Sequence, residues 1–208
     1  MLMGIVFVPF LLTVIFNSLI CMKVNEKFGI LIPFTMILMI FLAYIGIVVK
    51  SLSFGLLLII FANFILIYDL FKDKYQKRDL FIRNVLTSGL FVYLILFMCV
   101  YFITINHGAD LWAWDEYAHW GQMVKELLRL DNFYIIKGTT LGYHNEYPPA
   151  IPILEALWCK LANKYDERIV YAALQIFQLS FFCYPVDKIQ YSFLDKPIYV
   201  KIHNSSIF

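Results

Sequence analysis

Asp115, Glu116 and His119 stand close together in the run Trp112-Ala113-Trp114-Asp115-Glu116-Tyr117-Ala118-His119-Trp120. A second polar group follows downstream, His144-Asn145-Glu146-Tyr147-Pro148-Pro149. Two carboxylates and an imidazole within one helical turn have two chemical uses. A carboxylate can take a proton from an attacking hydroxyl. Asp115 together with His119 can also hold a divalent cation (magnesium, manganese or zinc), since residues four apart on a helix lie side by side. Each residue has a plainer role as well. Asp115 stands where a helix cap belongs, and acid there suits the helix dipole. His119 and His144 fit a polar interface, and Trp112, Trp114 and Trp120 fit an aromatic belt at a membrane surface. Their joint occurrence, followed by a stiff Tyr-Pro-Pro, favours chemistry. Pro148 and Pro149 lack amide protons and hold the chain extended, which fixes where His144 and Glu146 point.

The segment's periodicity is helical. Tyr117, Trp120, Val124, Leu127 and Leu128 share one face, and Glu116, His119, Gln122, Glu126 and Arg129 share the other. A stretch of this length with charges on every turn is too short and polar to cross a bilayer, so it is expected to lie in the interface. A second stripe, Ile151, Leu154, Leu157, Trp158 and Leu161, predicts another interfacial helix.

Almost everything else is hydrocarbon-soluble. Of 208 residues, 62% are hydrophobic and 15% charged, against roughly half and a quarter in soluble domains. The excess calls for membrane lipid as solvent. A net charge of +2 gives no argument for nucleic acid. The four cysteines, at 21, 99, 159 and 183, form neither a C-x-x-C pair nor a metal-ligand spacing.

Apolar runs predict transmembrane helices at about 2–20, 29–49, 52–70, 84–105 and 168–185. The first has no basic residue before it and no small-residue cleavage site after it, which argues against a signal peptide. The turn between the second and third falls at Lys50-Ser51. Asn63, in mid-span, is expected to hydrogen-bond between helices. Lys72, Lys74, Lys77, Arg78 and Arg83 crowd the loop after the third run, and such loops stay cytoplasmic. The N-terminus and the loop 106–167 then face outward, and Lys50 is a minor violation. The expected fold is an all-α membrane protein of about five transmembrane helices, with an extracytoplasmic loop carrying two interfacial amphipathic helices. Its parts are residues 1–83 (three spans and the basic loop), 84–185 (two spans around the outer loop) and a tail, 186–208.

A Trp-Asp-Glu opening an amphipathic helix after an outward-going span, then a Tyr-Pro-Pro about 30 residues on, resembles the first outer loop of GT-C membrane glycosyltransferases, closest to the bacterial ArnT/protein-mannosyltransferase-like group. The likeness covers about residues 84–180. It implies transfer of a sugar from a polyprenyl-phosphate donor to a glycan, lipid or protein acceptor in cell-envelope glycan synthesis. By the same likeness Asp115 matches the loop carboxylate, as base or metal ligand, with Glu116 beside it, and Tyr147-Pro148-Pro149 matches the second motif. His119, Arg129, Lys137, His144, Glu146 and Tyr147 become substrate-binding candidates, with Arg129, Lys137 and His144 assigned to the donor phosphate. Family members continue through several more helices, so the resemblance implies an N-terminal portion with a missing C-terminal half as partner. The alternatives are a non-catalytic polytopic protein, such as a transporter or assembly subunit, and a truncated fragment without function. Few polar groups inside the spans, namely Asn63, Gln175 and Gln178, argue against ion transport.

Overall fold

The computed structural model describes residues 2–72, 77–106, 120–135, 139, 141 and 148–194. They form helices, with no strand among the described residues. The order is α1 (Leu2–Val24), α2 (Phe28–Val49), α3 (Leu52–Lys72), α4 (Lys77–Leu80), α5 (Ser88–Val100), α6 (Gly121–Leu130), α7 (Ala150–Leu161) and α8 (Glu167–Leu194). π-helical turns at Phe81–Val85 and Tyr101–Asn106 flank α5.

Among the described residues, four stretches are long and apolar enough to cross a membrane: Val6–Val24, Phe28–Val49, Leu52–Lys72 and Glu167–Ile189. A fifth counts if the bent pair Arg78–Val85 and Ser88–Thr104 is one span. Large apolar side chains such as Leu11, Phe41, Phe61, Phe64, Phe91, Ile95 and Phe182 point outward on these helices. In water that surface would be strongly unfavourable, so the architecture is compatible with a multi-pass membrane protein.

Chain reversals rest on local chemistry. After α1, Asn25 takes the left-handed conformation and Glu26 N–H donates to Cys21 C=O, closing the helix end. Between α2 and α3, Lys50 and Ser51 both donate to Gly46 C=O, and the Ser51 hydroxyl accepts from Phe54 N–H. Here the backbones touch: a Cβ on Gly46 would lie 2.1 Å from Gly55 Cα, and one on Gly55 would lie 2.7 Å from Ala43 Cα. Small residues permit that approach, as is usual where helices meet in lipid.

The core joins α1, α2, α5, α7 and α8. Phe10 of α1 stacks on Phe97 of α5 at 3.6 Å between ring centroids and lies 5.4 Å from Tyr93. Thr35 of α2 donates to Asn17 Oδ1 of α1 at 2.7 Å, while Asn17 Nδ2 donates to Phe28 C=O. These buried bonds fix the α1–α2 register.

Four features differ from expectation. The helix expected over 84–105 is bent by 59° near Leu86 and Thr87, and Thr87 caps α5 by accepting from Leu90 N–H. The last helix continues past 185, with Pro185 inside it; membrane helices tolerate proline when neighbours satisfy the freed groups. Asn63 bonds within its own helix, to Ile59 C=O, rather than across to another. Finally, α7 is packed inside the protein. Leu154, Leu157 and Trp158 are fully buried against neighbouring helices, so its apolar stripe faces protein where lipid was expected.

Candidate functional site

The bundle has two distinct ends. At one, Lys23 pairs with Asp69, and the Arg83 guanidinium and Asn84 amide both reach Asn25. At the other lie the α2–α3 turn, α6 and α7. Asp131 ties this second end together. It terminates α6 in the left-handed conformation, with φ of 52°. Its C=O accepts from Leu52 N–H at 2.8 Å, and its carboxylate accepts from Ser53 N–H at 3.0 Å and from Lys160 Nζ at 2.7 Å. One side chain thus joins α6, the start of α3 and the end of α7. Burial raises the Asp131 carboxyl, but the bonds from Lys160 and Ser53 outweigh it and hold the pKa below the usual range.

The following turn is held similarly. Asp166 accepts from Arg168 Nε and Nη2 and from Lys164 Nζ, each at 2.9 Å. Burial raises its carboxyl, and these bonds together overcome that and bring the pKa down to about 2. Lys125 of α6 lies 4.9 Å above the Tyr165 ring, a cation–π contact.

Of the residues singled out by type and spacing, Arg129 is described. Its guanidinium makes a two-pronged contact with Glu126, Nε to Oε1 at 2.9 Å and Nη2 to Oε2 at 2.7 Å. Two of its donors are therefore committed to a buried carboxylate, which restricts Arg129 as a phosphate ligand to its remaining N–H groups. Asp115, Glu116, His119, Lys137, His144, Glu146 and Tyr147 lie outside the described residues, as does the cap expected at Asp115. The proposed metal pair Asp115–His119 lies outside them too, and the described residues contain no group of three or more metal-ligating side chains. Trp120, half-exposed, leads into α6, and Pro149 C=O accepts from Ile153 N–H at the start of α7. The segment's two described borders, α6 and α7, pack on each other.

Type-and-spacing arguments missed two carboxylates. Glu155 sits in the middle of α7 and is 3% exposed. Its Oε2 has no hydrogen-bond partner; nor do Trp158 Nε1 and Tyr165 OH, both buried. Burial pushes its carboxyl up to about 8. A signal was present, since a lone acid interrupts the otherwise apolar Ile151–Trp158. Asp187, the second, is fully buried near the opposite end, within the α8 span. Its Oδ2 accepts from Gly29 N–H and from the Thr87 hydroxyl, and its Oδ1 from Gly89 N–H, all at 2.7 Å.

The chain matches no known protein family, no curated protein and no solved structure. Chemistry at each carboxylate must therefore be argued from its own surroundings. Both oxygens of Asp187 accept from donors at the starts of α2 and α5, three bonds in all, where helix dipoles favour negative charge. It positions helices. Glu155 has open hydrogen-bonding capacity and a pKa within reach of neutral pH, the profile of a proton-handling group.

Proposed function

We propose that this chain is a membrane glycosyltransferase subunit, moving a sugar from a polyprenyl-phosphate donor to an acceptor hydroxyl at the end of the bundle that carries α6 and α7. The observation that supports the reading best is the clasp at Asp131. It ties the helix following the Trp-Asp-Glu motif to the α2–α3 turn. α6, which follows that motif in sequence, and α7, which the Tyr-Pro-Pro leads into, thereby stand at the end away from Lys23 and Arg83. Basic clusters stay cytoplasmic, so this end faces outward, where the acceptor is found. α6 and α7 form the outer platform. Asp115 and Glu116 contribute the motif's carboxylates, and His119, Lys137, His144, Glu146, Tyr147 and Arg129 contact the substrates.

The chemistry is a displacement at the anomeric carbon. The acceptor oxygen attacks one face while the carrier phosphate departs from the other. A carboxylate takes the hydroxyl proton, and cationic groups, or a divalent cation held by Asp115 and His119, stabilise the leaving phosphate. The test is transfer from radiolabelled polyprenyl-phosphate sugars in membranes containing the chain, compared with Asp115→Asn. Loss of transfer with unchanged expression supports the assignment. Equal transfer by the variant refutes the role of Asp115, and no transfer by the parent chain with any of several donors, alone or together with a C-terminal partner, refutes the reading itself.

A further inference from the structure

Glu155 Oε2, Trp158 Nε1 and Tyr165 OH are three buried polar atoms without hydrogen-bond partners at one end of the bundle. Glu155 and Trp158 lie one turn apart on α7, hence on one side of it; they are 3% and 0% exposed. Tyr165 follows in the turn to α8, where burial above all, and then nearby acidic groups with Glu155 among them, push its hydroxyl up. Buried polar atoms are almost always bonded, and unbonded ones on one helix and the turn that follows it call for a small polar ligand.

The three groups define that ligand's chemistry. An indole N–H only donates, a tyrosine hydroxyl donates or accepts, and a carboxylate oxygen accepts. A cation does not suit an indole N–H, and an anion does not suit a carboxylate. A hydroxyl suits all three, because it offers one proton and two lone pairs. We propose that Glu155, Trp158 and Tyr165 form an internal site for one hydroxyl group, whose proton points to Glu155 and whose oxygen accepts from Trp158 and Tyr165.

Burial pushes the Glu155 carboxyl up to about 8, so it holds its proton well above the usual carboxylate range. Cys159 and Tyr165 are the titratable groups coupled to it. Asp166 and Glu167 act on those two, Arg168 is bound to Asp166, and Lys125 sits over the Tyr165 ring. α1 and α2, also packed on α7, carry no charged side chain toward this end within their helical spans.

The hydroxyl has two sources, a water molecule or the alcohol of an acceptor; the second rests on the transferase reading above. In that case the acceptor O–H bond breaks and its proton passes to the Glu155 carboxylate. The oxygen bonds to the anomeric carbon. The bond from that carbon to the carrier phosphate breaks, its electron pair leaving on the phosphate. Transfer by the parent chain then rises about tenfold per pH unit below 8 and levels off above it, and Glu155→Gln removes that dependence.

The experiment is infrared difference spectroscopy on the full chain in phospholipid vesicles. The expected result is a protonated-carboxylic-acid carbonyl band at pH 7 that titrates near pH 8, disappears in Glu155→Gln and shifts in Tyr165→Phe. An O–H stretch displaced by ¹⁸O-water and lost in both variants identifies water. Loss of that stretch and a shift of the acid band on adding octyl glucoside identify an acceptor alcohol. An acid band that survives Glu155→Gln or ignores Tyr165→Phe in folded protein overturns the site, as does the absence of both hydroxyl signals. These bands need no turnover, so failure of transfer and failure of the site are read separately.

Discussion

Replacing Asp187 tests how the bent pair Arg78–Val85 and Ser88–Thr104 is held. Its carboxylate accepts three bonds of 2.7 Å, from the first turn of α2 and from the cap and first turn of α5. The site is closed by contact: a Cβ on Gly89 would lie 2.6 Å from Gly29 Cα, and one on Gly29 would lie 2.4 Å from the Cys183 carbonyl oxygen. Asp187→Ala leaves three buried donors without acceptors at roughly 1–3 kcal/mol each. Water entering the gap offsets part of this, so the net loss is about 3–5 kcal/mol, typical of breaking a buried charged network. Asp187→Asn keeps one acceptor oxygen. Placed at Oδ2 it retains Gly29 and Thr87, but turns its amide toward Gly89 N–H, for a loss of about 1–3 kcal/mol. The assay is unfolding by SDS in mixed micelles, followed by far-ultraviolet circular dichroism. The expected order of stability is parent, then Asn, then Ala. Thr87→Ala costs about 1–2 kcal/mol in the parent, through both its cap and its bond to Asp187, and less in the Asp187→Ala background, because the two share one network. Asp187→Ala within about 0.5 kcal/mol of the parent, or full additivity with Thr87→Ala, refutes the reasoning. A functional carboxylate would behave oppositely: Asp187→Asn would abolish activity and leave stability unchanged.

Three further outcomes are expected. Gly55→Leu places a side chain against the Ala43 backbone, forces α2 from α3 and costs about 3 kcal/mol or more by overpacking; the same unfolding assay reads it, and unchanged stability contradicts the close contact. Asp166 has a folded pKa near 2, below its unfolded value, so its contribution is fully present above about pH 4 and is lost as pH falls toward 2; Asp166→Asn should flatten acid destabilisation in that window, and identical acid curves contradict the depressed pKa. Single cysteines introduced at Ser51 and Asn132, with Cys99 replaced by serine, should react with an impermeant maleimide added outside intact cells, and one at Lys72 should react only after permeabilisation; the reverse pattern inverts the proposed orientation.

The apolar spans were legible because lipid imposes a simple requirement, about 20 largely apolar residues; the run from Phe28 meets it without a charge inside, and the run from Leu52 carries its first charge at Asp69, near its end. Packing direction was not legible. A helical stripe such as Leu154, Leu157 and Trp158 is the same in sequence whether it meets lipid or protein. Only the surroundings of α7 decide, and its neighbours come from both halves of the chain. The apolar run of the last span ends at residue 185, a proline, a residue that normally stops a helix. In a bundle it is tolerated, and so the span that holds Asp187 extended beyond the place where a carboxylate was looked for. The bend at Leu86 had a local sign, Thr87-Ser88-Gly89, a cap followed by a small residue. It was hidden by the uniform hydropathy around it.

The same contrast separates the two buried acids. Isolated acids in apolar sequence give one signal for two different situations. Asp187 meets three donors, an amide at the start of each of two helices and a hydroxyl. Glu155 Oε2 has no donor bonded to it, and Trp158 Nε1 and Tyr165 OH are likewise without partners. A carboxylate whose two oxygens both accept bonds from the helices around it serves to hold those helices. An unsaturated one is driven to hold a proton until a ligand completes its shell. The number of donors already facing the oxygen atoms therefore distinguishes a structural acid from a working one here, and α7, rather than α8, carries the acid with chemistry left to do.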